Sequence, residues 1–446
     1  HITQDLIPAF NGQNSSSRYL AFITGGVLPI AEWADNVVSR YDQNVQVDLP
    51  TQTIATAVED AALEMLVRVL GFQDQWKGRT FTTGATASNI LGLACGREMI
   101  LQKRLPHDKS VGDLGLLAAC MAAGVKEIQI LTSAAHSSLS KAASVVGLGR
   151  ASVKQLPRSQ DQPWRLDIDA VEQALKTEGV ATIIAISAGD VNAGGFAVDG
   201  LQEWKRLRQL ADQHGAWIHV DGAFGIFART LPKTDEYIEL HRQLDGVELA
   251  DSITIDGHKV LNVPYDCGML LTRSPSTLQA VCTNPNAAYL SSSATGIPSP
   301  LNIGLENSRR FRALPVYAVL MQKGRAGIAE MVGNMVQLCR RIVSFVRESP
   351  HYEWWPDANA SLDTVFMTIM FRATDKAAND TIVDRINATR QLAVSNTVWR
   401  GEKGLRLAAS NWKVDADRDG RIIADLLTCV AEGRDFDISK YEGDGQ

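Results

Sequence analysis

Apolar residues fall along this chain in two rhythms. Ile54, Val58, Met65 and Val69 share one face at helical spacing, and Gly71 stands where a helix from Ile54 to Leu70 would stop. Further on, short apolar runs alternate with helical patterns: Glu127 to Thr132, Thr182 to Ser187, Trp217 to Val220, Ser252 to Ile255 and Met269 to Thr272. These runs have the length of strands. Among the helical patterns is DGLQEWKRLRQLADQHG, with Asp199 as N-cap, Leu201, Trp204, Leu207 and Leu210 facing inward and Gly215 as the stop. Strands alternating with helices predict an α/β fold, a mostly parallel sheet flanked by helices.

The pattern changes after Arg309. A helical stretch from roughly Leu314 to Arg347 leads to Thr364–Phe371, a polar helical segment near Asp380 to Arg390, and then NTVWRG and GLRLAAS. These predict a small antiparallel sheet with helices on one side. Three parts are expected: an N-terminal segment over 1–50, a large α/β domain over 51–310, and a linking helix with a small C-terminal α+β domain over 311–446. The Ser, Gly and Pro content of SSSATGIPSP, Ser291 to Pro300, predicts a loop, and a lid there would suit a site that excludes water.

Composition narrows the class without choosing a reaction. The 446 residues carry 44 Lys+Arg against 50 Asp+Glu, a formal charge of −6, and 45% are hydrophobic, enough for a large core. No apolar run approaches the ~20 residues of a membrane helix. No basic, aromatic-interleaved patch points to nucleic acid, so neither a membrane nor a nucleic-acid partner is expected. The six cysteines, at 95, 120, 267, 282, 339 and 429, include no CxxC pair and read as reduced, mostly buried thiols. Without HExxH or paired-ligand spacing among the eight histidines, no metal site is expected. The chain opens on His1 with no charged-then-apolar leader, so a trimmed start and a cytoplasmic location are expected.

Candidate chemistry gathers just beyond the predicted strand ends, where open parallel sheets bind ligands. In SITIDGHKVLNVPYDCGMLL, Lys259 follows a strand end, where apolar surroundings favour a free amine able to condense with an aldehyde cofactor; an ordinary surface lysine is the other reading. WIHVDGAFG delivers Asp221, a carboxylate suited to a protonated pyridine nitrogen, with capping of the next helix as the other reading, and Ala223 leaving room for a flat ring. FTTGATASNILGL reads as a loop feeding a helix N-terminus, where Thr86 and Ser88 could help backbone N–H groups hold a phosphate; a plain Thr-rich cap is the alternative. His136, in ILTSAAHSSLSKAASVVGLG, could stack on an aromatic ring or be a satisfied structural residue.

Together, HSSLSKAASVVGLG, HVDGAFG and DGHKVLNVPYDCG resemble, in order, the signature of the group II pyridoxal-phosphate-dependent decarboxylases, the aromatic amino acid and glutamate decarboxylases. The resemblance runs from about Arg18 to near Leu427. It implies the aspartate aminotransferase fold, fold type I, and pyridoxal 5'-phosphate (PLP) as cofactor. Lys259 would be the Schiff-base lysine, Asp221 the partner of the ring nitrogen, and His136 the residue stacked on the ring, these three being catalytic. Gly84, Ala85, Thr86, Asp190, Ala223, Asp256 and His258 complete the implied cofactor set. Tyr19, Phe22 and Ile23, in RYLAFITGG, would wall the substrate pocket, and Arg406, in GLRLAASNW, would clamp a substrate carboxylate or sit in a structural ion pair. A homodimer acting on an amino acid is implied as well.

Departures from that family bear on the reaction. Its members usually carry, on a loop after the lysine, a tyrosine that protonates the carbanion left by departing carbon dioxide. The corresponding stretch here is shorter and holds only Tyr289, near its start. Asp190 stands where relatives mostly carry threonine, and Ala87 where many carry glutamate. The expected reaction is decarboxylation of an L-amino acid to its amine through a Lys259 Schiff base. Oxidative deamination to an aldehyde, transamination or Cβ cleavage is the alternative, and a non-catalytic relative comes third.

Overall fold

The computed structural model describes residues 1–107, 109–284 and 296–441. The chain divides into two compact units, one of residues 29–190 and 195–329, the other of 1–28, 191–194 and 330–446.

The larger unit is built on seven strands: β1 (Gly78–Thr82), β2 (Glu127–Thr132), β3 (Val153–Gln155), β4 (Val180–Ser187), β5 (Trp217–Asp221), β6 (Ser252–Asp256) and β7 (Gly268–Thr272). Their order across the sheet is β1-β7-β6-β5-β4-β2-β3. β7 runs antiparallel to both its neighbours, and the remaining pairs are parallel. The central strands are near-continuous apolar runs because both faces of such a sheet are covered; Ile183, Ile218, Ile253 and Leu270 are fully buried. Register brings the strand ends to one edge. Ser187 lies opposite Asp221, while Asp256 and Thr82 both lie opposite Gly268.

Helix α1 (Ala55–Val69) is present where expected, but it buries Ala62, Leu63, Leu66 and Val67, while Ile54 precedes it and is exposed and Val58 and Met65 are half-buried. Helix α2 (Ala85–Gln102) begins at the same sheet edge, directly after β1. Leu91, Leu93, Ile100 and Leu101 of α2 join Ile130, Ile183, Trp217 and Leu270 in one core cluster. Helix α3 (Ser137–Val145) follows β2. Helix α4 (Gly200–His214) buries Trp204, Leu207 and Leu210 and stops at Gly215 in the left-handed region. Leu201 is only half-buried, and Asp199 holds the N-cap position without a side-chain cap bond. Its carboxylate is drawn instead to Arg242 at 2.7 Å and Arg165 at 3.4 Å.

In the smaller unit, four antiparallel strands run in the order β8 (Tyr352–Trp355), β9 (Thr368–Ala373), β11 (Glu402–Ala408) and β10 (Ser395–Trp399). The N-terminal segment is tied to this sheet by backbone bonds from Ala393 to Arg18, from Leu20 to Ala393 and from Ala408 to Leu20, at 3.1, 2.9 and 2.8 Å. The helical stretch expected as continuous is present over Ala313–Glu348 but breaks at Gly324, whose φ of +56° no helical residue adopts. No described helix is long and apolar enough to cross a membrane.

One buried ion pair ties the later part of the larger unit to α1. Arg309 grips Glu59 of α1 with both terminal nitrogens, Nη1 at 2.8 Å from Oε2, and the two side chains are 1% and 4% exposed. Removing one partner strands the other charge out of water. Glu59→Ala is therefore expected to cost about 3–5 kcal/mol, and the double variant Glu59→Leu with Arg309→Met clearly less. Denaturant midpoints check this, and equal losses in both variants would contradict it.

Candidate active site

β6 ends at Asp256, and a single helical turn, Gly257–Val260, carries His258 and Lys259 away from the sheet. The turn is held because the N–H groups of Gly257 and His258 both donate to the carbonyl of Cys267, at 3.0 and 3.2 Å. Lys259 Nζ lies 2.8 Å from Asp256 Oδ2. The other oxygen of that carboxylate accepts the N–H of Ala85 at 2.6 Å, so Asp256 joins the lysine to the first turn of α2. His258 Nδ1 accepts the Cys267 N–H at 3.2 Å, and its ring stacks on Tyr265 with centroids 4.4 Å apart.

Gly84 caps α2 at φ +154°, and a Cβ on Gly268 would fall 2.5 Å from its Cα. Only glycine at both positions lets β7 back onto this loop. The first-turn N–H groups of a helix have no intrahelical acceptor, and Thr86 stands in that first turn. Ser88 corrects an expectation. It is fully buried, its hydroxyl 2.7 Å from Thr82 Oγ1 and 3.0 Å from the Met269 carbonyl, so it faces the sheet and not a ligand.

On the next strand, Asp221 Oδ1 accepts the Ala223 N–H at 3.2 Å and Oδ2 accepts Asn89 Nδ2 at 2.8 Å. Among the described residues both donors are neutral. The carbonyl of Ala223 receives the Asp256 N–H at 3.0 Å, and that of Asp221 receives the Ala188 N–H at 2.8 Å, which locks three strand ends together. Asp190, two residues after Ala188, is buried and donates its N–H to the Gly195 carbonyl at 2.7 Å. His136 is exposed beyond β2 and caps α3, its Nδ1 accepting the Ser138 N–H at 3.2 Å.

The larger unit thus joins Ala85, His258 and Lys259 to Asp256 directly, with Gly84 and Thr86 flanking Ala85 in the chain and Asp221 and Ala223 on the neighbouring strand end. Tyr19, Phe22, Ile23 and Arg406 belong to the smaller unit, where Arg406 Nη2 donates to the Ala21 carbonyl at 3.2 Å and Tyr19 bridges to Ala393. Tyr289 lies outside the described residues. Asn89 went unrecognised in the sequence, although Gly92 and Gly96 one and two turns later signal close packing of that helix face. No cluster of metal-ligating side chains occurs among the described residues.

A lysine amine, a carboxylate with neutral donors on the adjacent strand, and the remaining first-turn N–H groups of α2 suit an aldehyde-bearing pyridine phosphate. Fold and site together define a pyridoxal-phosphate enzyme of fold type I. Residues 37–372 match the family described as "Pyridoxal-dependent decarboxylase conserved domain", and the chain belongs to that family. It is therefore a PLP-dependent lyase of the amino acid decarboxylase class. It is 25% identical over 390 residues to L-2,4-diaminobutyrate decarboxylase of Acinetobacter baumannii, covering 83% of this chain and 71% of that one. Similarity to phenylacetaldehyde synthase of Arabidopsis thaliana is 24% over 370 residues, covering 80% and 70%. The crystal structure of Oryza sativa TDC with PLP and tryptamine shares the fold at a TM-score of 0.80 and 22% identity, over 97% of this chain and 86% of that one.

Burial lowers the pKa of His258, and that of the fully buried His219 on β5, below the ordinary imidazole value, against the opposing pull of Asp256 and Asp221 respectively. The unfolded chain takes up these protons near about pH 6.5 and the folded chain only at lower pH, so in between the unfolded state binds more protons. Stability of the cofactor-free protein is expected to fall from about pH 7.5 to about 5.5, and less steeply in His219→Gln. Urea midpoints at the two pH values check this; an unchanged slope in the variant would contradict it.

Proposed function

We propose that this chain decarboxylates an L-amino acid to the corresponding amine, with Lys259 as the amine that binds the cofactor aldehyde covalently. The observation that carries this proposal is the contact of Lys259 Nζ with Asp256 at 2.8 Å, at the strand end where Asp256 also meets the start of α2. The cofactor, when bound, supplies a sink for the electron pair released as carbon dioxide leaves.

The protein's residues do the rest. Asp256 orients Nζ and fixes where the covalent bond forms. Thr86 and the N–H groups at the start of α2, with Gly84, Ala85 and His258 beside them, hold the phosphate. Asp221 offers its carboxylate to the ring nitrogen; with only neutral donors among the described residues, it gains most from a cationic partner. Ala223 and His136 flank the ring faces, Asp190 closes the neighbouring loop, and His136 positions the substrate carboxylate or passes a proton.

The partition into 1–50, 51–310 and 311–446 enters this proposal as a division of labour. The middle part holds every cofactor candidate. The flanking parts supply Tyr19, Phe22 and Ile23 as pocket walls and Arg406 as the carboxylate clamp. A homodimer belongs to the same proposal, as does a cytoplasmic location, the latter supported by six cysteines that are all free thiols.

A second reading, release of an aldehyde, is favoured by the similarity to phenylacetaldehyde synthase. Carbon dioxide, amine, aldehyde and ammonia measured together from a panel of L-amino acids separate the two. Carbon dioxide and amine in equal amounts are expected, and Lys259→Ala is expected to lose turnover. Aldehyde with ammonia would replace the first reading by the second, and full activity in Lys259→Ala would contradict both.

A further inference from the structure

A line of polar side chains crosses the apolar layer between α2 and β5. Trp217, His219 and Asp221 alternate along β5 and so share one face. Above them on α2 lie Asn89, Gly92 and Gly96. A Cβ on Gly92 would come 2.3 Å from His219 Cε1, and one on Gly96 2.9 Å from Trp217 Cδ1. The two glycines therefore let the helix settle onto the strand.

The bonds run in sequence from the deep end. Trp217 Nε1 donates to Ser252 Oγ at 3.0 Å, and Ser252 Oγ lies 2.8 Å from His219 Nδ1. His219 Nε2 is 3.0 Å from Asn89 Oδ1, and Asn89 Nδ2 reaches Asp221 at 2.8 Å. Thr254 Oγ1 also donates to Asn89 Oδ1, at 2.8 Å. His219, Ser252, Asn89 and Thr254 are fully buried.

The two ends leave one arrangement of hydrogens. A carboxylate only accepts, so the amide nitrogen of Asn89 faces Asp221 and its oxygen faces His219. That oxygen only accepts, so the imidazole proton sits on Nε2. Nδ1 must then accept from the Ser252 hydroxyl, which in turn accepts from an indole that can only donate. Burial keeps the imidazole neutral, as this order requires.

We infer that Asn89 and His219 are positioning residues that act through Asp221: the directed chain from Trp217 holds the carboxylate in the orientation that meets the pyridine nitrogen of the cofactor. This rests on Asp221 facing that nitrogen, as proposed above. An orphaned donor or acceptor in a buried chain costs more than its share of one bond, so a break at Asn89 is felt at Asp221.

The test is PLP titration of cofactor-free protein, followed by absorbance, in Asp221→Ala, Asn89→Leu and the double variant. Each single change is expected to raise the apparent Kd about tenfold or more, with the double variant no weaker than Asp221→Ala alone. Losses that multiply in the double variant would overturn the inference, because a residue acting on the fold alone adds to the loss of Asp221. An unchanged Kd in Asn89→Leu would overturn it too. An unchanged Kd in Asp221→Ala would instead overturn the role of Asp221 on which it rests. Should Asn89→Leu not fold, His219→Gln and His219→Phe decide: Gln can return an N–H to the Nε2 position and is expected to keep affinity where Phe loses it, and equal loss in both would overturn the inference.

Discussion

A buried carboxylate between two positive partners holds the active edge together. Asp256 is 2% exposed and accepts from the Lys259 ammonium and from the N-terminus of α2. A carboxylate persists out of water only with such partners. Those two fix the lysine side chain, the turn after β6 and the start of α2 at once. Because α2 then runs back over β5, the placement of Asn89 above Asp221 follows from the same anchor.

The two acidic strand ends are neighbours with opposite circumstances. Asp256 is paired with a cation and a helix dipole, whereas Asp221 receives a side-chain amide and a backbone N–H, both neutral. One carboxylate is thereby committed to positioning the nucleophile, and the other is left to meet a positive ring. Parallel pairing of β5 and β6 sets Asp221 opposite Thr254, two residues before Asp256, and the backbone bond from Asp256 to Ala223 holds the two strand ends together.

Much of this was legible in the sequence for a physical reason. Strands of a doubly covered sheet are mostly apolar, so β2, β4, β5 and β6 announce themselves, and whatever follows them stands at the ligand edge. What escaped depended on contacts distant in sequence. The direction of the Ser88 hydroxyl is set by Thr82 and the Met269 carbonyl, and Asp199 is drawn from its cap by Arg242 and Arg165. Asn89 lies in the second turn of α2 with its strand partners more than a hundred residues away, and only the glycines at 92 and 96 mark its helix face. The attachment of the first residues to the C-terminal sheet includes backbone bonds through Ala393 and Ala408, which no side-chain pattern reports. The family follows from motifs and matched residues; the substrate does not, because the candidates for its recognition sit outside the cofactor framework.

Covalent capture at Lys259 is the central claim, and borohydride reduction of the PLP-loaded protein followed by peptide mass mapping tests it most directly. The pyridoxyl mass is expected on the peptide that carries Lys259. A label on any other lysine, or no label at all on protein that has bound the cofactor, would contradict it.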